Sequence, residues 1–118
     1  MFNMEQIYQN FISWLNGLIE DDPIPYEIKS LVFYLNNHFE IGFSGTEQNK
    51  VEKIDLNFYF PLEAEFFYCP KLTRILIKNN KAKNLEILSL LLTRLKKDKY
   101  FKNFKIFFGF LFEKANKI

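Results

Sequence analysis

Three carboxylates share one parity along the stretch KIDLNFYFPLEAEFFY, residues 53–68: Asp55, Glu63 and Glu65. Glu63 and Glu65 stand two residues apart, so an extended backbone turns both to one face. Paired acids of this kind do two sorts of chemistry. They pass a proton between acid and base forms, or they offer hard oxygen ligands to Mg²⁺ or Ca²⁺. Asn57, Tyr59 and Phe67 share their parity, while Ile54, Leu56, Phe58, Phe60, Leu62, Ala64, Phe66 and Tyr68 occupy the other. The pattern predicts greasy rings turned inward and an anionic panel turned outward.

Bond-making chemistry finds little further support. A metal-dependent nuclease of the restriction type needs an acid at one strand end, then an acid, one spacer and a Lys on the next strand. Glu63-Ala64-Glu65 and Asp55-Leu56-Asn57 both lack that Lys. The single histidine, His38, stands beside an Asn36-Asn37 turn, and the single cysteine, Cys69, sits between Tyr68 and Pro70. One His and one Cys do not make a zinc site of the usual kind within one chain. Ser44-Gly45-Thr46 reads as a turn, and the 4 glycines have no phosphate-loop spacing. The expectation is a chain without catalytic residues, metal or cofactor.

Recognition is the better reading of the panel. Aromatic anchors among carboxylates suit a docking face that steers a basic protein partner. Its contacts would be Asp55, Asn57, Tyr59, Glu63, Glu65 and Phe67, as in a stoichiometric inhibitor or immunity-type protein. A second reading draws on the other half of the chain. Residues 1–67 hold 11 acids and 3 bases, a net −8, while residues 68–118 hold 3 acids and 13 bases, a net +10. Lys96, Lys97, Lys99, Lys102 and Lys105, interleaved with Tyr100, Phe101 and Phe104, are a candidate nucleic-acid surface. The same asymmetry is equally satisfied by two halves attracting each other across one fold. A third reading is a carrier of small apolar ligands, held in a cavity under a Phe-lined sheet.

The elements that must position these groups follow from periodicity. Met4, Ile7, Tyr8, Phe11, Ile12, Leu15, Leu18 and Ile19 recur at helical spacing, and Glu20-Asp21-Asp22-Pro23 ends that helix. Residues 27–45 predict a hairpin about Asn36-Asn37, with Phe39, Ile41 and Phe43 alternating in its second arm. A third strand is expected from about Val51 to Phe60. Pro61 interrupts it, after which residues 62–68 keep the parity along a bulge or sheet edge. Residues 70–78 fit either a short helix or a strand. Ala82–Lys97 predicts a helix with Leu85, Leu88, Leu91, Leu92 and Leu95 inward, and Lys105–Phe112 a doubly covered strand. The simplest assembly is α+β: a mainly antiparallel sheet of about four or five strands with two helices packed on one face.

A chain of 118 residues is expected to form one domain around one core. Aromatics are 19% of it, 15 of them Phe, in a Lys-rich composition typical of AT-rich, bacterial-like coding. The lone cysteine and the absence of a basic, apolar leader point to a cytoplasmic protein. The longest apolar run, Ile106–Phe112, is too short to span a bilayer. If Phe107 and Leu111 find no cover within the chain, a homodimer is expected.

Overall fold

The computed structural model describes residues 4–55 and 65–118. Helix α1, Met4–Asp21, buries Ile7, Tyr8, Phe11 and Leu15, one stripe at helical spacing. Strand β1, Ser30–Leu35, and strand β2, Ile41–Thr46, form the expected hairpin, paired antiparallel with Phe33 opposite Phe43. Its turn is shaped by Asn36, whose Oδ1 accepts from the backbone N–H of His38 (2.9 Å) and of Glu40 (3.0 Å).

Residues 70–78 resolve as helix α2, Pro70–Lys78, with proline in its first turn, where a missing N–H costs nothing. Leu72 and Leu76 are its buried pair. Helix α3, Lys81–Lys96, follows almost at once, and the Asn80 side chain accepts from Lys83 N–H to cap it. Ile87, Leu88, Leu91, Leu92 and Leu95 form its buried face. Strand β3, Lys105–Phe110, then enters beside β1, and the short β4, Asn116–Lys117, pairs with its far edge.

The sheet order is β2-β1-β3-β4. Two features correct the expectation of a mainly antiparallel sheet under two helices. The central pair, β1 with β3, is parallel, because the chain leaves β2 and returns through α2 and α3 before adding β3. The helices number three among the described residues. Their buried faces share one core with Leu31, Phe33 and Leu35 of β1 and Ile106 and Phe108 of β3. Phe11 is the hub of that core. Its ring meets Trp14 at 5.8 Å, Phe33 at 5.8 Å and Phe67 edge-on at 5.5 Å.

The opposite sheet face carries Val32, Tyr34 and Phe107, and it is covered too. After β2 the chain does not enter the sheet as a third strand over residues 51–55. Its backbone pairs with residues 112–115 instead of with β2, and this stretch lies as a strap across the second face. Val51 and Ile54 pack there with Ala115 and Leu111. The strap is held by Ile54 N–H to Glu113 O at 2.9 Å, Phe112 N–H to Ile54 O at 2.7 Å and Ala115 N–H to Glu52 O at 2.9 Å. Phe107 is thereby covered within the chain. Among the described residues no helix is long and apolar enough to cross a membrane.

Candidate functional site

Of the expected acidic panel, Asn57, Tyr59 and Glu63 lie outside the described residues. Asp55 is half-buried at the end of the strap and Glu65 is exposed. Phe67 is turned inward. Its backbone exchanges two hydrogen bonds with Ile41, at 3.1 and 2.8 Å, and its ring packs edge-on against Phe11 and at a tilt against Trp14. The parity around it is therefore the reverse of that expected. Phe66 and Tyr68 face outward, at 41% and 59% exposure, because the backbone docks beside the hairpin turn and points its odd residue into the helical layer. Among the described residues no three His, Cys, Asp or Glu side chains gather as a metal set.

The expected lysine cluster is brought together at the sheet end where β1 and β3 begin. Lys97, Lys99 and Lys102 are exposed, while Lys96 and Lys105 are half-buried. The Lys96 ammonium donates to the Phe104 carbonyl, and burial, aided by the charge of Lys117, pushes its pKa down.

A concave site lies at the other end, where the parallel strands β1 and β3 finish. Leu35 ends β1, Phe110 ends β3, and the first turn of α3 stands over the gap between them. Open α/β sheets characteristically bind ligands beyond the carboxyl ends of parallel strands. The cleft here measures about 670 Å³, within the range of small-molecule sites. Phe39, Phe110, Leu111 and Phe112 give it apolar walls, and asparagines 36, 37, 79, 80 and 84 give it amides.

Most of those amides have local duties. Asn36 shapes the hairpin turn, Asn79 Nδ2 donates to Ile75 O at 2.7 Å, and Asn80 caps α3. Asn84 is different. It is 2% exposed, its Nδ2 donates to Leu76 O at 3.0 Å, and its Oδ1 has no partner among the described residues. Buried polar atoms are nearly always paired. The first-turn amides of α3 also lack intrahelical acceptors by construction. Lys81 carries the charge at this end. Its Nζ lies 2.6 Å from Glu113 Oε2 and 5.0 Å from the centre of the Phe110 ring.

Two walls of the cleft are strained. Phe39 at φ 59° and Phe112 at φ 67° are the described non-glycine residues in the left-handed region, where a side chain costs about 1–2 kcal/mol. Both line this cleft. Strain of this sort concentrates at functional positions. The sequence carries the parts as two Asn-Asn pairs and a run of Phe. It does not say that the three turns after β1, α2 and β3, far apart along the chain, close on one gap.

Compared with known proteins, the chain matches no family model, no curated protein and no solved structure.

Proposed function

We propose that this protein is a binding module for a small aromatic ligand, held in the cleft at the carboxyl ends of β1 and β3. The unpartnered Asn84 Oδ1 carries the reading. Leaving such an acceptor buried costs about 1–3 kcal/mol, and since the Asn84 side chain lines the cleft, a ligand N–H or O–H donor that reaches this oxygen from there removes that cost. The Phe39, Phe110 and Phe112 rings around it favour a flat, apolar body by edge or face contact. Binding fits the lining better than catalysis does. The ionisable side chains there, Lys81 and Glu113, neutralise each other.

The test is an NMR titration of the full chain with a panel of flat donors: indole, phenol, 4-aminophenol and adenine. Binding in the cleft shifts the Asn84 side-chain amide together with the Phe39, Phe110 and Phe112 resonances. The variant Asn84→Leu keeps the fold, because Leu76 O still accepts from Asn79 N–H at 3.2 Å, and it weakens the bound member at least tenfold. A panel that leaves all four residues unshifted at millimolar concentration counts against the reading. So does a variant that binds as the parent does.

A further inference from the structure

The opposite end of the sheet presents a feature of another kind. α3 ends at Lys96, and the loop to β3 carries Lys97, Lys99 and Lys102 around Tyr100. Lys96 reaches the Phe104 carbonyl at the base of that loop. Lys105 opens β3, and its N–H donates to Lys29 O at 3.2 Å. From there a recess of about 410 Å³ is lined by Lys50, Lys105 and Lys117, with Phe107 and Ala115 as its floor. The loop and the recess meet at Lys105, which follows Phe104 and opens β3, so the lysines of both lie at one end of the sheet.

Part of this charge has a structural duty. Lys96 and Lys97 stand at the C-terminal end of α3 and complement its dipole. The others go beyond that need. Among the described residues Lys99, Lys102, Lys105 and Lys117 are in no ion pair, whereas Lys81, Lys83 and Arg94 each have a carboxylate partner. Lys50 is paired to Glu52 at 3.4 Å, with both side chains 80% exposed. Asp98, the acid inside the loop, is occupied: its Oδ1 accepts from Tyr100 N–H at 2.9 Å.

Tyr100 separates this surface from a plain basic patch. The residue is 47% exposed, yet its ring is braced edge-on against buried Phe101 at 4.9 Å and at a tilt against Phe104 at 6.0 Å. A fixed aromatic face among unpaired lysines is what unstacked bases use when a phosphate backbone tracks a cationic groove. We propose that the surface running from the Tyr100 loop to the Lys50–Lys105–Lys117 recess binds single-stranded nucleic acid, with Tyr100 as a stacking platform and the lysines as phosphate contacts. This surface lies at the other end of the sheet from the Asn84 cleft, and neither proposal depends on the other.

The experiment is fluorescence anisotropy of labelled dT20 with the full chain. Four phosphates neutralised on a single strand give a log–log salt slope of about −3, so affinity falls roughly 50-fold between 50 and 200 mM NaCl. Lys99→Glu with Lys102→Glu, both at exposed positions, lowers affinity at least tenfold at 50 mM and flattens the slope by more than one. Tyr100→Ala weakens dT20 severalfold and leaves binding of inorganic polyphosphate unchanged, since a polyphosphate has no base to stack. Absence of dT20 binding at 50 mM overturns the proposal. Equal loss of dT20 and polyphosphate in Tyr100→Ala overturns it in favour of a general anion patch. Displacement of dT20 by poly-glutamate at equal charge concentration overturns it in favour of an acidic-protein surface.

Discussion

Gly109 of β3 lies directly beneath the Lys114 carbonyl: a Cβ at position 109 would stand 2.8 Å from that oxygen and 3.4 Å from Ile54 Cγ1. This close approach lets the strap and the 113–115 segment lie flat on the second sheet face. The obstacle is backbone, and it is held on both sides by strap hydrogen bonds, so it has little room to give. Gly109→Ala is expected to destabilise the fold by about 1–3 kcal/mol, the usual cost of overpacking, as read from urea unfolding. Gly42→Ala makes the useful contrast. There the methyl group meets the far end of the Tyr34 ring, 2.3 Å from Cζ. A ring can swing where a strap cannot, so the smaller loss is expected at 42.

Gly17 has the opposite sign. It lies exposed inside α1, with nothing within 4 Å of the position a Cβ would take. No turn or close approach calls for glycine there. Replacing it with Ala removes backbone freedom from the unfolded chain, and Gly17→Ala is expected to stabilise by about 0.5–1 kcal/mol. A thermal melt that shows no rise would mean that the middle of α1 is not held as a regular helix.

The elements that carry their own periodicity were readable in advance. The α1 stripe, the hairpin about Asn36 and the leucine face of α3 each follow from local spacing. What spacing cannot fix is partnership. Ile54 opens an alternating run that reads as a strand, yet Val51, three residues earlier and of the other parity, is buried beside it, which a strap allows and a regular strand does not. Nothing local says that β3 comes to lie parallel to β1. Phe67 shows the same limit at a candidate site. Three aromatic residues in a row, 66–68, satisfy either parity, and only the docking of that backbone on Ile41 chooses one. The cleft was hidden for the same reason, since its walls come from three separate turns.

The ion pair between Glu5 and Arg94 ties the first turn of α1 to the last turn of α3. The guanidinium donates to both carboxylate oxygens, with Nη2 to Oε1 at 3.0 Å, and lies 4.1 Å over the Tyr8 ring. Hydrogen bonding from Arg94, with help from Gln9, pulls the Glu5 pKa from 4.5 down to about 2. The folded state therefore holds this carboxylate ionised more firmly than the unfolded state does. The stabilisation is fully present above pH 4.5 and is lost as pH falls toward 2. Glu5→Gln removes it. Parent and variant should differ in urea midpoint at pH 6 and converge between pH 4.5 and 2. Because the pair is exposed, the difference at pH 6 should also shrink in 1 M NaCl. A gap that persists at pH 2 would locate the effect in packing instead of charge.

Phe112 offers the sharpest separation of fold from function. The residue is 56% exposed, so it contributes little to the core, yet its backbone is held at φ 67°. Asparagine tolerates that region because its short polar side chain bonds locally. Phe112→Asn is therefore expected to raise stability by about 1 kcal/mol while taking an aromatic wall out of the cleft. Phe112→Leu keeps the strained backbone and loses only the ring. If the ring is retained for a ligand, both variants weaken binding of the titration panel, and only the asparagine variant gains stability. If the ring is retained for packing, the asparagine variant loses stability, and Phe112 ceases to be evidence for a site. Urea unfolding of the three proteins, set beside their titrations, distinguishes the two cases.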